Sequence, residues 1–229
     1  MIITIDGPTG TGKSTIAKRL AREIGYIYFD TGAMYRCITY ALLKSAIDIE
    51  DPKALQSFLK DFKYEYKILR GERSYFVDGE DVTLKIRGFE ITSHVSRISA
   101  IAAIRDKLIA LQRSLAKGVN SVFEGRDMGS TVFPNAEIKI FLTGKKEVRA
   151  LRRLQEYQQK FPVEGANLTL EGVLKEMQTR DELDSTRKNS PLKQASDAFV
   201  IDTSDLTPED VILKILEYKD SLKTRSKSI

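Results

Sequence analysis

The stretch from Gly7 to Thr15 reads Gly-Pro-Thr-Gly-Thr-Gly-Lys-Ser-Thr, and it constrains the fold more than any other part of the chain. It fits the pattern G-x-x-x-x-G-K-[ST]. The preceding residues 2–6 are mostly β-branched, which favours a buried strand, and apolar residues from Ile16 to Ile24 recur at helical spacing. A strand, a glycine-rich loop and a helix in this order predict a phosphate-binding loop. The simpler alternative is a glycine-rich turn before a helix.

The residue types of this loop suit a nucleoside triphosphate such as ATP. Its glycines let backbone N–H groups converge on an anion at the positive end of a helix. Lys13 adds a mobile cation, which we expect in an exposed loop, and the Ser14 hydroxyl suits a Mg²⁺ shell. The predicted ATP-binding residues are Gly7, Pro8, Thr9, Gly10, Thr11, Gly12, Lys13, Ser14 and Thr15.

The composition is that of an ordinary globular chain. Its 229 residues suffice for one α/β domain with insertions or for two small domains, and 41% of them are hydrophobic. The sequence has no apolar run of membrane-spanning length and enters its first strand without a signal peptide, so we expect a cytoplasmic protein. Cys37 is expected to be a buried structural thiol, and His94 has no companion at metal-ligand spacing.

The net charge of +5 indicates an acidic partner without identifying it. Nucleic acid and nucleotides are both candidates, since both are polyanions. Apart from a predicted exposed tail at residues 223–228, the arginines gather near predicted loops and helix ends. This distribution favours small phosphorylated substrates, with no nucleic-acid or membrane partner. A monomer is the default expectation.

The middle of the chain changes from helical spacing to strict alternation and back. Alternating residues from Phe62 to Val77 predict a small antiparallel insert, which residues 82–86 complete. Thr31 is the expected N-cap of the helix that follows the second strand. The other predicted elements here are a strand at 26–30 and helices at 31–45, 51–60, 89–96 and 100–117.

Further strands each end in polar or charged residues. In a parallel α/β sheet these ends line the ligand crevice, so Glu124, Arg126 and Asp127 are expected to face the phosphate loop. The predicted elements are strands at 120–124, 138–143 and 198–202, helices from 145, from 169 to 187 and from 208 to 219, and a polar lid at 162–167.

Taken in order, these segments closely resemble the bacterial cytidylate kinase family of nucleoside monophosphate kinases. The resemblance covers nearly the whole chain. It implies an α/β fold: a P-loop kinase core with a parallel β-sheet flanked by helices, a small antiparallel β-containing substrate-binding insert, and a lid. The motifs that carry it, beyond the phosphate loop, lie at residues 30–36, 96–105, 124–130, 132–142, 180–187, 190–192 and 201–204. The implied organisation is one domain, 1–229, with a core at about 1–60 and 92–229, an insert at about 61–91 and a lid at about 155–168.

The resemblance implies transfer of the γ-phosphoryl group of Mg-ATP to CMP or dCMP. Its implied catalytic residues are Lys13, Arg126, Arg153, Arg180 and Arg187. Its implied substrate-binding residues are Arg36 and Arg126 for the acceptor phosphate, Thr31, Arg105, Asp127 and Arg187 for cytosine, and Ser96, Arg180 and Asp184 for the sugar. Ser14 is the implied Mg²⁺ ligand, with Glu124 reaching the ion through water.

Two positions depart from the usual family pattern. Thr31 stands where serine is common, and Glu124 stands where aspartate is also found, so we expect a tighter pocket and a longer arm to the metal shell. A kinase for another nucleotide or a small metabolite is the first alternative. A nucleotide-gated switch or a nucleic-acid-binding ATPase is the second, although the sequence contains no Asn-Lys-x-Asp motif and no aromatic stripe among lysines.

Overall fold

The computed structural model describes residues 1–69 and 72–226, and the chain divides into two compact units. The first unit contains Met1–Phe29 and the chain from Ala116 onward, and the second contains Asp30–Leu115. The predicted organisation as one domain with an insert and a lid stays a prediction.

The first unit is built on a five-stranded sheet with the strand order β2-β6-β1-β7-β8. The pairings of β1 with β6 and with β7, and of β7 with β8, are parallel. Ile3 and Ile5 of β1 are completely buried, as expected for the central strand of a sheet covered on both faces. The strands are β1 (Ile2–Asp6), β2 (Ile27–Asp30), β6 (Ser121–Gly125), β7 (Ile138–Thr143) and β8 (Phe199–Asp202).

Helices of the first unit pack their apolar faces on this sheet. Ile16 and Leu20 of α1, and Val211 and Ile215 of α9, join the sheet residues in one buried cluster. The helices are α1 (Lys13–Ile24), α6 (Lys146–Lys160), α7 (Pro162–Gly165), α8 (Leu170–Thr186) and α9 (Pro208–Ser226). A second cluster joins α6 to α8 through Ala150, Val173 and Met177. The short helix α7 lies within the predicted polar lid at 162–167, so this lid is partly helical.

The second unit contains an antiparallel sheet of order β3-β4-β5 and has its own apolar core. Tyr64 of β3 pairs with Val77 of β4, and Phe76 pairs with Asp81 of β5. The elements are α2 (Thr31–Lys44), α3 (Pro52–Asp61), β3 (Tyr64–Leu69), β4 (Glu72–Val77), β5 (Glu80–Asp81), a 3₁₀ turn (Lys85–Arg87), α4 (Phe89–Ser99) and α5 (Ala102–Leu115).

Three local predictions were wrong. The third antiparallel strand is Glu80–Asp81, and residues 85–87 form a 3₁₀ turn, because the turn at Asp78 and Gly79 returns the chain earlier than the apolar residues suggest. Asp30 rather than Thr31 caps α2, since its carboxylate accepts the N–H of Ala33 at 2.8 Å.

The third error concerns the C-terminus, where residues 223–226 continue helix α9 instead of starting a tail. The rest of that predicted tail, residues 227–228, lies outside the described residues. Cys37 is fully buried, as expected, and His94 lies exposed on α4. Among the described residues, no helix is both long and apolar enough to cross a membrane.

Candidate active site

The loop between β1 and α1 is pressed against the backbone of its neighbours. Gly7 has φ 149°, and a Cβ there would lie 2.2 Å from the carbonyl oxygen of Leu142 on β7. A Cβ on Gly10, where φ is 78°, would lie 2.7 Å from the carbonyl oxygen of Arg149. Glycine is therefore required at both positions by the close approach of other chain segments, in addition to any approach of a phosphate.

The amides at the start of α1 are available to an anion. The first hydrogen bond of this turn runs from Ile16 N–H to the Gly12 carbonyl at 3.0 Å. The N–H groups of Lys13, Ser14 and Thr15 precede it, and such groups have no acceptor within their own helix. Together with the helix dipole they form a site suited to phosphate oxygens.

Lys13 is buried, with 6% of its surface exposed, so the expectation of an exposed loop lysine was wrong. Its Nζ donates to the Pro8 carbonyl at 2.6 Å. Burial, followed by the charge of Arg126, holds the pKa of Lys13 well below its usual value. A buried cation beside another cation is stabilised when an anion arrives, which is what a phosphate supplies.

Arg126 follows β6 and enters an ion-pair network with α8. Its Nε donates to Asp184 Oδ2 at 2.8 Å, and Asp184 also lies 3.7 Å from Arg187 NH1. Burial alone raises the pKa of Asp184, but the charges of Arg126, Arg180 and Arg187 hold it below its usual value. Asp184 is therefore an ionised carboxylate that fixes two of the predicted catalytic arginines.

Asp127 is also buried, and it forms an ion pair with Arg187 of the same unit. The distance from Arg187 NH2 to Asp127 Oδ1 is 3.3 Å, and Arg187 Nε donates to the Ser190 carbonyl at 2.6 Å. The carboxylate of Asp127 is thus held by a cation that the family resemblance implies for the same pocket.

Arg180 is buried close to another cation, and the described part of the chain does not satisfy all of its hydrogen-bond donors. Burial, followed by the charge of Arg126, lowers the pKa of Arg180 to about 10. Its Nε is buried and has no hydrogen-bond partner within residues 1–69 and 72–226. Lys13, Arg126 and Arg180 therefore form an electrostatically coupled cationic group.

The turn that carries Arg126 and Asp127 is tied to the phosphate loop by Asp6. Asp6 Oδ1 accepts the N–H of Met128 at 2.9 Å, and Oδ2 accepts that of Gly129 at 2.7 Å. Burial raises the pKa of Asp6 to about 7 even though these two hydrogen bonds lower it. Because Asp6 directly precedes Gly7, one side chain positions both the loop and the arginine turn.

The residues available to Mg²⁺ suit an ion that arrives with a nucleotide. Glu124 is a buried carboxylate at the end of β6 and accepts a 2.9 Å hydrogen bond from Tyr28 OH, while Ser14 is the second residue of α1. No group of three or more His, Cys, Asp or Glu ligands is found within the described ranges. Mg²⁺ commonly keeps one or two protein ligands and takes the rest from phosphates and water, so this donor set fits.

A cleft of about 350 Å³ lies beside the phosphate loop, within the first unit. Arg152 lines it, and its guanidinium donates to Thr203 Oγ1 at 3.1 Å and to the Thr203 carbonyl at 2.7 Å. Arg153 also lines the cleft, but its guanidinium is held on α6 by Glu156 at 2.8 Å and by Tyr157 OH at 3.0 Å. The walls come from the loop, α6 and the segment after β8.

The second unit holds the other predicted substrate residues. Arg36 NH1 donates to Thr92 Oγ1 at 2.7 Å and contacts the Ile86 carbonyl at 3.4 Å. Arg105 is buried, donates to the Ser99 carbonyl at 3.2 Å, and has its Cζ 5.5 Å from the centre of the Tyr35 ring. Thr31 is buried at the start of α2, and Ser96 is half-buried on α4.

Comparison with known proteins identifies the family. The sequence profile described as cytidylate kinase matches residues 3–221.

The chain belongs to the cytidylate kinase family.

Curated relatives agree with this assignment. The chain is 61% identical over 228 residues to the cytidylate kinase of Protochlamydia amoebophila, with both chains covered completely. It is 48% identical to the cytidylate kinase of Ligilactobacillus salivarius, covering 93% of this chain and 94% of the relative.

Solved structures with low sequence identity show the fold of this chain. A shikimate kinase from Bacteroides thetaiotaomicron has a TM-score of 0.50 at 14% identity and covers 97% of this chain and 98% of its own. An uncharacterised protein from Eubacterium ventriosum has a TM-score of 0.51 at 15% identity, with 96% and 98% covered. The predicted fold class, an α/β kinase core with a small antiparallel sheet, is confirmed.

Several residues that organise this site were not predicted from the sequence. Asp6, Asp181 and Arg149 each contact the phosphate loop or the turn after β6. An aspartate directly before the first loop glycine was a usable signal for Asp6, since it ends a buried strand. Asp181 and Arg149 gave no such signal, because charged residues on predicted helices are usually solvated.

Proposed function

We propose that this protein transfers the γ-phosphoryl group of ATP to CMP or dCMP, giving ADP and CDP or dCDP. The proposal rests on full-length similarity to cytidylate kinases and on one structural observation. That observation is the coupled cationic group of Lys13, Arg126 and Arg180, in which burial and mutual repulsion lower the pKa of Lys13 and Arg180. Such a group is suited to bind an anion of high charge.

The loop and the adjacent cleft support binding of ATP by the first unit. Amides at the start of α1 and the Lys13 ammonium would hold the β- and γ-phosphates. Arg152 presents a planar guanidinium fixed by Thr203, and such a plane can stack on a base, so the cleft is our candidate for adenine. Mg²⁺ would accompany ATP, with Ser14 and Glu124 as its protein-side contacts, and would supply neutralising charge to the phosphates.

The site residues keep their predicted roles as proposals. Arg126, Arg153, Arg180 and Arg187 would neutralise the phosphoryl group in flight, with Asp184 holding Arg126 and Arg187 in place. Asp127 would accept a hydrogen bond from the cytosine amino group. The residues proposed to bind acceptor nucleotide from the second unit are Thr31, Arg36, Ser96 and Arg105.

Phosphoryl transfer places modest demands on protein chemistry. A loose transition state requires in-line alignment and neutralisation of charge on the equatorial oxygens, both of which arginines provide. The acceptor phosphate is already an anionic nucleophile, so no obligatory general base is needed. Arg153 is held on α6 by Glu156 at 2.8 Å.

A kinase for another nucleotide or a small metabolite is the main alternative, and a nucleotide-gated switch or nucleic-acid-dependent ATPase is the second. The decisive experiment measures ADP release from ATP with CMP, UMP, AMP and GMP in parallel, with RNA and DNA as controls. We expect CMP to give the highest kcat/KM. Greater activity with another acceptor would reject the proposal, and stimulation by RNA or DNA alone would favour the second alternative. Cytoplasmic location and a monomeric state stay predictions.

A further inference from the structure

Each of the three polar atoms of Thr9, in the phosphate loop, contacts a charged side chain. Its N–H donates to Asp181 Oδ1 at 2.9 Å, its carbonyl accepts from Arg149 NH1 at 2.7 Å, and its Oγ1 accepts from Arg126 NH2 at 3.0 Å. These side chains come from α8, from α6 and from the turn after β6. The position of one loop residue is therefore determined by three separate elements of the first unit.

Asp181 and Arg149 also pair with each other behind the loop. Arg149 NH1 lies 2.7 Å from Asp181 Oδ2, and the two side chains are only 8% and 17% exposed. Arg149 Nε further donates to the Gly144 carbonyl at 3.0 Å. Each carboxylate oxygen of Asp181 has its own partner, one on the loop and one on α6.

The next loop residue has no space to move toward these helices. A Cβ on Gly10 would lie 2.7 Å from the Arg149 carbonyl oxygen and 2.9 Å from Met177 Cε of α8. The loop is therefore supported by α6 and α8 on one side and tied to them through Thr9. A shift of either helix would displace the loop amides that follow.

We propose that Asp181 is a positioning residue for the donor phosphates, acting through the Thr9 N–H and Arg149. A carboxylate at a phosphate site would repel its ligand, but Arg149 neutralises this one at 2.7 Å. Asp181 orders the loop before the nucleotide arrives, so binding does not have to order it. The inference rests on the proposed function only in assigning donor phosphates to this loop.

A structural tether between α6 and α8 is the competing explanation. Such a tether needs the Asp181–Arg149 ion pair alone, and it makes no use of the bond from Thr9 N–H to the other carboxylate oxygen. The two explanations differ in what they predict for ATP binding in protein that remains folded.

The test compares Asp181→Asn and Asp181→Glu with the control Glu182→Gln, which alters the next, exposed carboxylate of α8. Glutamate keeps the negative charge near Arg149 but is one methylene longer, so its carboxylate cannot keep the present geometry to both Thr9 N–H and Arg149. Calorimetry with a non-hydrolysable ATP analogue, and separately with CMP, gives the two Kd values. We expect both Asp181 variants to raise the Kd of the ATP analogue about tenfold, as loss of a charge-assisted bond and loop order predicts. The Kd of CMP should change less than twofold, and the control should match the parent.

The result that would overturn the inference is an ATP-analogue Kd within twofold of the parent in Asp181→Glu, whatever happens to its melting temperature. If Asp181→Asn fails to fold, the glutamate variant alone decides. Failure of the proposed function is recognised separately, because the parent would then bind the ATP analogue without phosphorylating CMP.

Discussion

Lys13 Nζ donates a 2.6 Å hydrogen bond to the carbonyl oxygen of Pro8, five residues earlier in the same loop. The ammonium group is therefore folded back onto its own loop and shielded from water. Burial and the charge of Arg126 lower the pKa of Lys13, so its positive charge is costly until an anion is bound. The positive charge of Lys13 is therefore expected to help catalysis, when phosphates are bound, without stabilising the nucleotide-free protein.

We predict that Lys13→Ala lowers kcat/KM for phosphoryl transfer by about 100-fold or more, since it removes a charge that neutralises the donor phosphates. The melting temperature without nucleotide should not fall appreciably, because a disfavoured buried cation is lost together with its hydrogen bond. Steady-state assays and thermal melts provide both measurements. Lys18→Ala, at an exposed position of α1, is the matched control. Normal turnover in the Lys13 variant would refute the assignment of the phosphate loop.

Asp6 predicts a pH dependence of stability. Burial raises its pKa from 3.8 to about 7 in the folded protein, so the folded state binds the proton more tightly than the unfolded state. The stability that this group contributes is complete below about pH 4 and is lost as the pH rises through 7. The parent should lose up to about 1.4 kcal/mol per pH unit from this group within that window.

Asp6→Asn tests this dependence. At pH 5 Asp6 of the parent is protonated, and its hydroxyl oxygen can still accept an N–H, whereas the amide nitrogen of asparagine cannot. The variant should therefore be less stable than the parent at pH 5 by about 1–3 kcal/mol. The difference should narrow as the pH rises to 8, because only the parent loses stability through Asp6. Urea unfolding at four pH values measures it, with Glu182→Gln as the control. A stability difference that stays constant across these pH values would contradict the assignment of the raised pKa.

The fold class could be predicted from the sequence because it depends mainly on the order of helices and strands, which hydrophobic periodicity and turn residues indicate locally. The strand at residues 138–143 and the end of α1 at Ile24 match the structure, since buried β-branched runs and amphipathic spacing are local signals. Burial of Lys13 was not predictable in the same way. It depends on Arg126 and the surrounding charges, which come together only after the sheet has formed.

The contacts of Thr9 with charged side chains, and the two hydrogen bonds that Asp6 accepts, were not predicted for the same reason. Each joins residues more than 100 positions apart in sequence, and no local pattern marks Asp181 as an acceptor of a backbone N–H. The position of Asp6 before the first loop glycine was a signal, but it does not identify which N–H groups the carboxylate accepts. The parallel register of β1 and β6 explains why Asp6 reaches the turn after β6. Asp6 pairs with Gly125, so the ends of β1 and β6 are level and their following turns meet.

Nucleotide binding should slow amide hydrogen exchange in residues 62–91 and 161–167, the predicted insert and lid. Each segment presents an exposed apolar side chain, since Ile68 is 66% exposed and Val163, in the short α7, is 80% exposed. Closure during phosphoryl transfer would exclude water. Exchange measured by mass spectrometry, with and without CMP plus a non-hydrolysable ATP analogue, tests this, and peptides of β7 serve as the internal control. Identical exchange in both states would argue against a closing motion.

Asp127 is the residue that we expect to distinguish cytosine from uracil. Cytosine offers an amino donor where uracil offers a carbonyl acceptor, and a buried carboxylate accepts from the first and repels the second. Asp127 is 2% exposed and ion-paired with Arg187 at 3.3 Å, which fits a buried carboxylate held by a cation. The alternative is a purely structural role, in which Asp127 only holds Arg187 through this ion pair.

Asp127→Ala should lower kcat/KM for CMP at least about tenfold more than for UMP, since one buried mismatch is worth about 1–3 kcal/mol. The variant should also be less stable, because Arg187 loses its 3.3 Å ion pair with Asp127, so assays must be run well below its melting temperature. Asp127→Asn is the sharper test. Its amide keeps an oxygen that can accept from Arg187 and presents a donor that matches the uracil carbonyl, so the ratio of kcat/KM for CMP to that for UMP should fall further than in the alanine variant. If both variants reduce CMP and UMP turnover by the same factor while remaining folded, Asp127 holds Arg187 in place and does not read the base.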